Sequence, residues 1–151
     1  MKKIHLLLFA GLALFALACS DGMINSEGET KPTKWPFVKH SYQYRFTLQN
    51  TTGEYFYKFH FINNDSVDFI VERISDGERL IQRGGHYEMK NDYDINFLDL
   101  DQIPTTLKGR RVTIYNGSFN RDYTNLQTFQ RTYFNTGNSN SGSPDYELVE
   151  D

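Results

Sequence analysis

Only one cysteine, Cys19, occurs in the 151 residues, so no internal disulfide can form and the fold has to be held by its core. There is no excess of positive charge either: 16 Lys and Arg stand against 19 Asp and Glu, a net of −3 at pH 7. Binding a phosphate backbone depends on a basic surface, so nucleic acid is not an expected partner. No apolar run reaches the roughly 20 residues that a membrane-crossing helix needs. Catalytic signatures are missing too. The chain has no phosphate-cradling Gly-rich loop or dinucleotide pattern. Ser139, Ser141 and Ser143 lie in an Asn- and Gly-rich stretch without a Gly-x-Ser-x-Gly elbow. Glu54, Glu72, Glu78 and Glu88 would make a carboxylate pair only at separations that sequence spacing does not supply. A zinc site would need His40, His60 and His86 with carboxylates, and a haem site Met89, His60 or His86, yet nothing in their spacing makes them converge. The expectation is a protein that is not an enzyme and carries no metal or cofactor.

What is present begins at the N-terminus. Lys2 and Lys3 precede residues 4–18, which are apolar apart from His5 and Gly11 and end in Ala16-Leu17-Ala18-Cys19 before the chain turns polar at Ser20-Asp21-Gly22. A positive start, a short apolar stretch and small residues at its end predict a cleaved signal peptide over residues 1–18. The four residues Ala16-Leu17-Ala18-Cys19 resemble a bacterial lipobox, with Ala16 and Leu17 exchanged relative to the usual order. That resemblance implies a diacylglycerol thioether on Cys19, an N-acyl chain after cleavage, and a lipid anchor in the bacterial cell envelope, with the outer membrane as the expected site. Each buried acyl methylene contributes roughly 0.8 kcal/mol and two or more chains hold firmly, so a lipidated Cys19 keeps the molecule on the membrane. The other outcome, ordinary cleavage after Ala18, leaves a secreted protein with an unpaired thiol. Loss of Lys2 and Lys3 leaves 14 basic against 19 acidic residues, a net of −5.

Residues 19–34 are polar and poor in large apolar side chains, a composition that reads as a flexible tether. Residues 136–151 are rich in Asn, Ser and Gly and finish with Asp145, Glu147, Glu150 and Asp151, which reads as a disordered acidic tail. Between them, residues 35–135 repeat apolar side chains at every second position. In Tyr42-Gln43-Tyr44-Arg45-Phe46-Thr47-Leu48-Gln49 the alternation is complete, which predicts a half-buried strand and excludes a helical stripe. Tyr55, Tyr57, Phe59 and Phe61 form the next row, Asn63-Asn64-Asp65 a turn, and Val67, Phe69 and Val71 the returning strand. Asp76-Gly77 marks another hairpin, Leu80-Ile81 a short strand, Gly84-Gly85 a break, and Tyr87 with Met89 a further strand. Asn91-Asp92 turns the chain into Tyr93, Ile95 and Phe97, and a loose connection follows over residues 99–109. Val112 and Ile114 make a seventh strand closed by Asn116-Gly117, and Phe129 with Tyr133 an eighth. No helical period is sustained. The prediction is all-β: an antiparallel up-and-down meander of about eight strands, closed into a barrel so that no edge is left exposed.

The run Gly85-His86-Tyr87-Glu88-Met89-Lys90-Asn91-Asp92-Tyr93-Asp94-Ile95-Asn96-Phe97, with the Tyr57 to Phe61 strand and its Asn63-Asn64-Asp65 turn, resembles the small lipocalin-like (calycin-type) lipoproteins of Bacteroidetes. The resemblance spans roughly residues 35–134 and implies a lipocalin-like barrel and a non-catalytic envelope protein.

Aromatic side chains dominate one face of the strands, and an eight-stranded barrel has an interior that is either filled by side chains or holds one small ligand. Tyr42, Tyr44, Tyr55, Tyr57 and Tyr87 are the candidate ligand-binding residues, whose phenols would orient a small apolar or amphipathic molecule. The alternative is a packed barrel that docks onto an envelope partner through an outer face carrying Phe56 and Ile62. Asp65-Ser66-Val67 resembles the Asp-Ser/Thr-apolar O-glycosylation acceptor of Bacteroidetes, which would make Ser66 a modification site; Asp65 and Ser66 would otherwise serve only to shape the turn.

Overall fold

The computed structural model describes residues 23–24, 30–31, 34–47, 53–105, 107 and 109–150. Residues 1–18, expected to form a signal peptide, and Cys19 lie outside the described residues. The chain divides into Met1–Thr33 and Lys34–Asp151. Within the first unit, Met23–Ile24 pairs antiparallel with Thr30–Lys31, so the stretch read as a tether contains one local strand pair.

The second unit is built from ten strands: β1 (Ser41–Thr47), β2 (Glu54–Phe61), β3 (Ser66–Arg73), β4 (Arg79–Met89), β5 (Asp94–Phe97), β6 (Ile103–Pro104), β7 (Arg111–Phe119), β8 (Asn125–Tyr133), β9 (Ser139–Gly142) and β10 (Asp145–Val149). Every pairing is antiparallel. β1 to β5 pair in sequence, β5 pairs with β7, β7 with β8, β8 with β10, and β10 returns to β1. β6 continues the position of β5 along β7, and β9 continues the position of β10 along β8. The result is a closed up-and-down barrel of eight strand positions, as the two-residue period predicts. Closure matters because a two-sided meander would leave two rows of unpaired backbone groups.

Alternation fixes which side chains fill the barrel. Tyr42, Tyr57, Phe59, Phe61, Val67, Phe69, Val71, Tyr87, Ile95, Phe97, Ile114, Phe119 and Leu126 are all buried. In the middle, the Phe59 ring lies 5.0 Å from Phe97, 5.4 Å from Phe69 and 4.8 Å from Tyr146, so the waist is filled with aromatic contacts. One end is plugged by the segment that precedes β1. Phe37 is fully buried, stacked on Phe119 at 4.4 Å and edge-on to Phe61 at 4.8 Å. The backbone pins it there: Lys39 N donates to the Phe61 carbonyl and Phe61 N to the His40 carbonyl.

Three sequence expectations need correction. Residues 136–151 are not a disordered tail: β9 and β10 lie there, Tyr146 is fully buried, and β10 is the strand that closes the ring, so the domain extends past residue 135 to at least Val149. Gly84-Gly85 is no break, because β4 runs through it as a single strand. A Cβ on Gly85 would meet the Leu100 side chain at 2.4 Å, so the glycine admits a close neighbour instead of turning the chain. Asn116-Gly117 is likewise mid-strand, and the register there shifts so that Asn116 faces Phe129 while Ile114 faces Gln130, leaving Tyr115 as the extra residue of a bulge. The reversal falls after β7, where the Asn120 side chain accepts from the backbone N–H of Thr124 and Asn125. Merging two short strands and adding one from the tail leaves the count at eight.

Candidate functional site

The five tyrosines divide between the two ends of the barrel. Tyr42 and Tyr87 belong to the plugged end. Their hydroxyls donate to the carbonyls of Tyr123 and Asn63, each at 2.6 Å, and burial pushes both phenols to higher pKa. Those hydroxyls are used up in tying strands to loops. Tyr44, Tyr55 and Tyr57 gather at the other end with Phe46, whose ring lies 4.2 Å from Tyr57 and 5.7 Å from Tyr55. Connection residues Ile103, Thr105 and Leu107 pack over this end and are buried.

The interior turns polar here. β8 points Leu126, Thr128, Gln130 and Thr132 inward on its two-residue period, and Thr128 and Gln130 are buried. The Tyr146 hydroxyl donates to Gln130 Oε1 at 2.9 Å. Two buried hydroxyls, those of Tyr57 and Thr128, have no hydrogen-bond partner among the described residues. Tyr57 is only 3% exposed. Burial pushes its phenol up to about 12, while the neighbouring Arg110 acts in the opposite direction. Arg110 and Thr105 come close enough to influence the Tyr57 proton, yet neither meets the oxygen in hydrogen-bond geometry. A buried hydroxyl left unpaired costs about 1–3 kcal/mol, so two together mark a place where packing alone has not set the sequence.

The wall is also incomplete at this end. β10 pairs with β1 only over Ser41, Tyr42 and Gln43, and β9 pairs only with β8. Residues 44–47 of β1 pair with β2 on one side, but their other edge and the facing edge of β9 have no strand partner among the described residues. A hollow of about 350 Å³ sits in this seam, lined by Tyr44, Gln130, Thr132 and residues 140–144. A second, of about 440 Å³, lies on the outer side against Gln43, Tyr44, Arg45, Phe56, Asp145 and Glu147. Tyr44 borders both, so the two hollows flank one thin place in the barrel wall. A volume of this order lies at the small end of ligand pockets.

The remaining sequence candidates fall elsewhere. Ser66 starts β3, half-buried, with its hydroxyl donating to Asp65 Oδ1 at 2.5 Å. The turn before it is shaped mainly by Asn63, whose side-chain oxygen accepts from the N–H of Asp65 and Ser66. His60 Nδ1 lies 3.0 Å from Ser41 Oγ, and His86 Nδ1 lies 2.7 Å from Asp99 Oδ2. Among the described residues no three of His, Cys, Asp and Glu come together in a way that could hold a metal. Phe56 is half-covered by Lys58, whose ammonium sits 5.6 Å from its ring. Sequence reasoning missed Arg110, Thr128 and Gln130. A signal for all three existed, since period two puts Arg110 on the face of Val112 and Ile114, and Thr128 and Gln130 on the face of Leu126.

The fold and site thus define a plugged antiparallel barrel with buried polar side chains at its other end and an open hollow where the wall is unpaired. No protein-family description, curated protein or solved structure matches the chain.

Proposed function

We propose that this chain is a non-catalytic binding protein whose polar chamber takes up one small amphipathic molecule through the seam. The observation that carries the reading is a hollow lined by the aromatic Tyr44 and the polar Gln130 and Thr132, with Tyr57, the cross-strand partner of Tyr44, holding a buried hydroxyl that has no hydrogen-bond partner among the described residues. An aromatic wall with a few convergent polar groups suits a ligand that has both an apolar face and hydrogen-bonding atoms. The packed waist leaves the plugged half to stability. The N-terminal pattern ending at Cys19 supports a lipid-anchored position in the cell envelope, where such a barrel would sample the surrounding medium.

Native mass spectrometry of the chain purified from its own envelope tests this. A discrete retained mass is expected, and it should vanish in Thr132→Trp, which fills the hollow. A spectrum of apo-protein alone, with no uptake from an envelope lipid and metabolite extract, would remove the reading. Labelling with an alkyne fatty acid tests the anchor: the wild type should be marked and Cys19→Ser should not.

The exposed pair Tyr115 and Phe129, 38% and 44% exposed with their rings tilted against each other, favours the docking alternative at an outer face. Cross-linking in intact envelopes through a photoreactive residue at position 129 would reveal such a partner.

A further inference from the structure

The hollow of about 350 Å³ at the seam carries no charge in its lining: Tyr44, Gln130, Thr132 and residues 140–144 include no Lys, Arg, His, Asp or Glu. Strand register sets what it presents. Opposed residues of an antiparallel pair share a face, so Thr132 stands beside Asn140 and Gln130 beside Gly142. Gly142 contributes no side chain, and a Cβ there would meet nothing within 4 Å, so the space beside Gln130 is left open. Gln130 itself is only 7% exposed and is held in one orientation, because its Oε1 accepts from the Tyr146 hydroxyl at 2.9 Å. Its Nε2, with two N–H groups, makes no hydrogen bond among the described residues. Tyr44 adds an aromatic ring to the same lining, tilted against the Tyr146 ring at 5.6 Å.

We infer that this hollow is a site for a neutral saccharide, with the Tyr44 ring against the C–H face of a sugar and Gln130, Thr132 and Asn140 bonding its hydroxyls. The inference rests on the binding reading above and names the chemical class of the ligand. A carboxylate, phosphate or ammonium group would enter without a counter-charge in the lining, and desolvating an unpaired charge is costly. An acyl chain would strip water from the amides and hydroxyls and offer them no partner, a cost repeated at each group. A sugar avoids both penalties. Each of its hydroxyls donates and accepts, so it can take a proton from the Gln130 amide and exchange bonds in either direction with Thr132 and Asn140. The C–H groups on one side of its ring meet the apolar body of a tyrosine, whose hydroxyl remains available at the tip. The edge of β9 that faces away from β8 adds backbone N–H and C=O groups to the same lining. A volume at the small end of ligand pockets suits a short unit of a glycan and not a long chain.

A glycan array probed with the full chain tests this, carrying neutral oligosaccharides that end in hexose or N-acetylhexosamine beside sialylated, uronate-containing and sulfated ones. Neutral oligosaccharides should bind. Isothermal titration with the oligosaccharide of the strongest signal should saturate, and Tyr44→Ala should weaken it about tenfold. Gly142→Leu, which projects a side chain beside Gln130, should abolish it. Circular dichroism on each variant confirms that the barrel is retained, and the open space around Gly142 lets Gly142→Leu carry the test if Tyr44→Ala does not fold. No signal on the array, binding confined to charged oligosaccharides, or binding that survives Gly142→Leu would overturn the saccharide assignment. The native mass spectrum decides the binding function separately: a retained mass that is not a saccharide would overturn the ligand class and leave binding standing.

Discussion

Replacing Tyr146 by alanine separates a barrel strand from a solvated tail. Tyr146 is fully buried, its ring sits 4.8 Å from Phe59 and 5.6 Å from Tyr44, and its hydroxyl donates to Gln130. Removing a large buried aromatic costs about 3–5 kcal/mol through lost transfer energy and the cavity left behind. Gln130 Oε1 also loses its donor, which falls within the same order as other unpaired buried groups, about 1–3 kcal/mol. Partial collapse and water access reduce the total, so about 4 kcal/mol is the working figure. For a domain whose whole stability is about 5–15 kcal/mol, that is a large share. With a urea slope of about 2 kcal/mol per molar, the unfolding midpoint should fall by about 2 M. Equilibrium urea denaturation followed by tryptophan fluorescence reads this through Trp35, which packs on the barrel core. Glu150→Ala, an exposed change close by, serves as the control and should stay within about 0.5 kcal/mol. A loss below about 1 kcal/mol for Tyr146→Ala would refute the placement of β10 in the barrel wall.

Other substitutions follow the same logic. Tyr57→Phe removes a hydroxyl that has no partner, so stability should hold or rise slightly, whereas Tyr42→Phe and Tyr87→Phe each break a bond to a carbonyl and should cost about 1 kcal/mol in the same denaturation assay. Gly85→Ala should destabilise by about 1–3 kcal/mol because its methyl meets Leu100, while Gly142→Ala, with open space around it, should change little. His86 and Asp99 form an exposed pair in which donating to the Asp99 carboxylate raises the His86 pKa above 6.5, and accepting from the His86 ring and backbone N–H lowers the Asp99 pKa below 3.8. The histidine contribution is complete below 6.5 and fades as pH rises through its higher folded value. The aspartate contribution is complete above 3.8 and fades as pH falls through its lower folded value. Their mutual stabilisation therefore peaks between these two limits. NMR titration should place the His86 inflection above 6.5 in the wild type and return it toward 6.5 in Asp99→Asn, and an unshifted wild-type inflection would contradict the pairing.

How much of this was legible depends on what kind of contact sets each residue. β1 and β2 are plain in the sequence because Tyr42, Tyr44 and Phe46, then Tyr57, Phe59 and Phe61, face one continuous core, and burial enforces the period. β9 escapes notice because all four of its residues are exposed, so it carries no alternation. β10 shows only Tyr146 and Leu148 on its inner side, a pair too short to separate from chance. The glycines mislead for a related reason. Gly85 and Gly117 look like punctuation, but each is small because another chain segment comes close, Leu100 in one case and the backbone oxygen of Gln127 in the other. Such a neighbour is invisible until the chain has folded. The tyrosine row was legible as a row. Which hydroxyls are spent and which are free depends on loop carbonyls at one end and their absence at the other.

That division has a physical logic. At the plugged end, Phe37 stacks on Phe119 and meets Phe61 and Tyr87, and the hydroxyls of Tyr42 and Tyr87 close onto backbone oxygens, so each polar group inside is paid for by a fixed partner. The ring contacts of Phe37, Phe61 and Phe119 and the closing pairs at Ser41, Tyr42 and Gln43 lie at or near this half, which can hold the barrel together without help from the seam. The opposite half is thereby released from a structural role. It can keep the Tyr57 and Thr128 hydroxyls without partners among the described residues and leave residues 44–47 and β9 apart, at a cost the packed half offsets. In the proposed binding function, these unmatched hydroxyls near a gap in the wall are the groups that a ligand would satisfy.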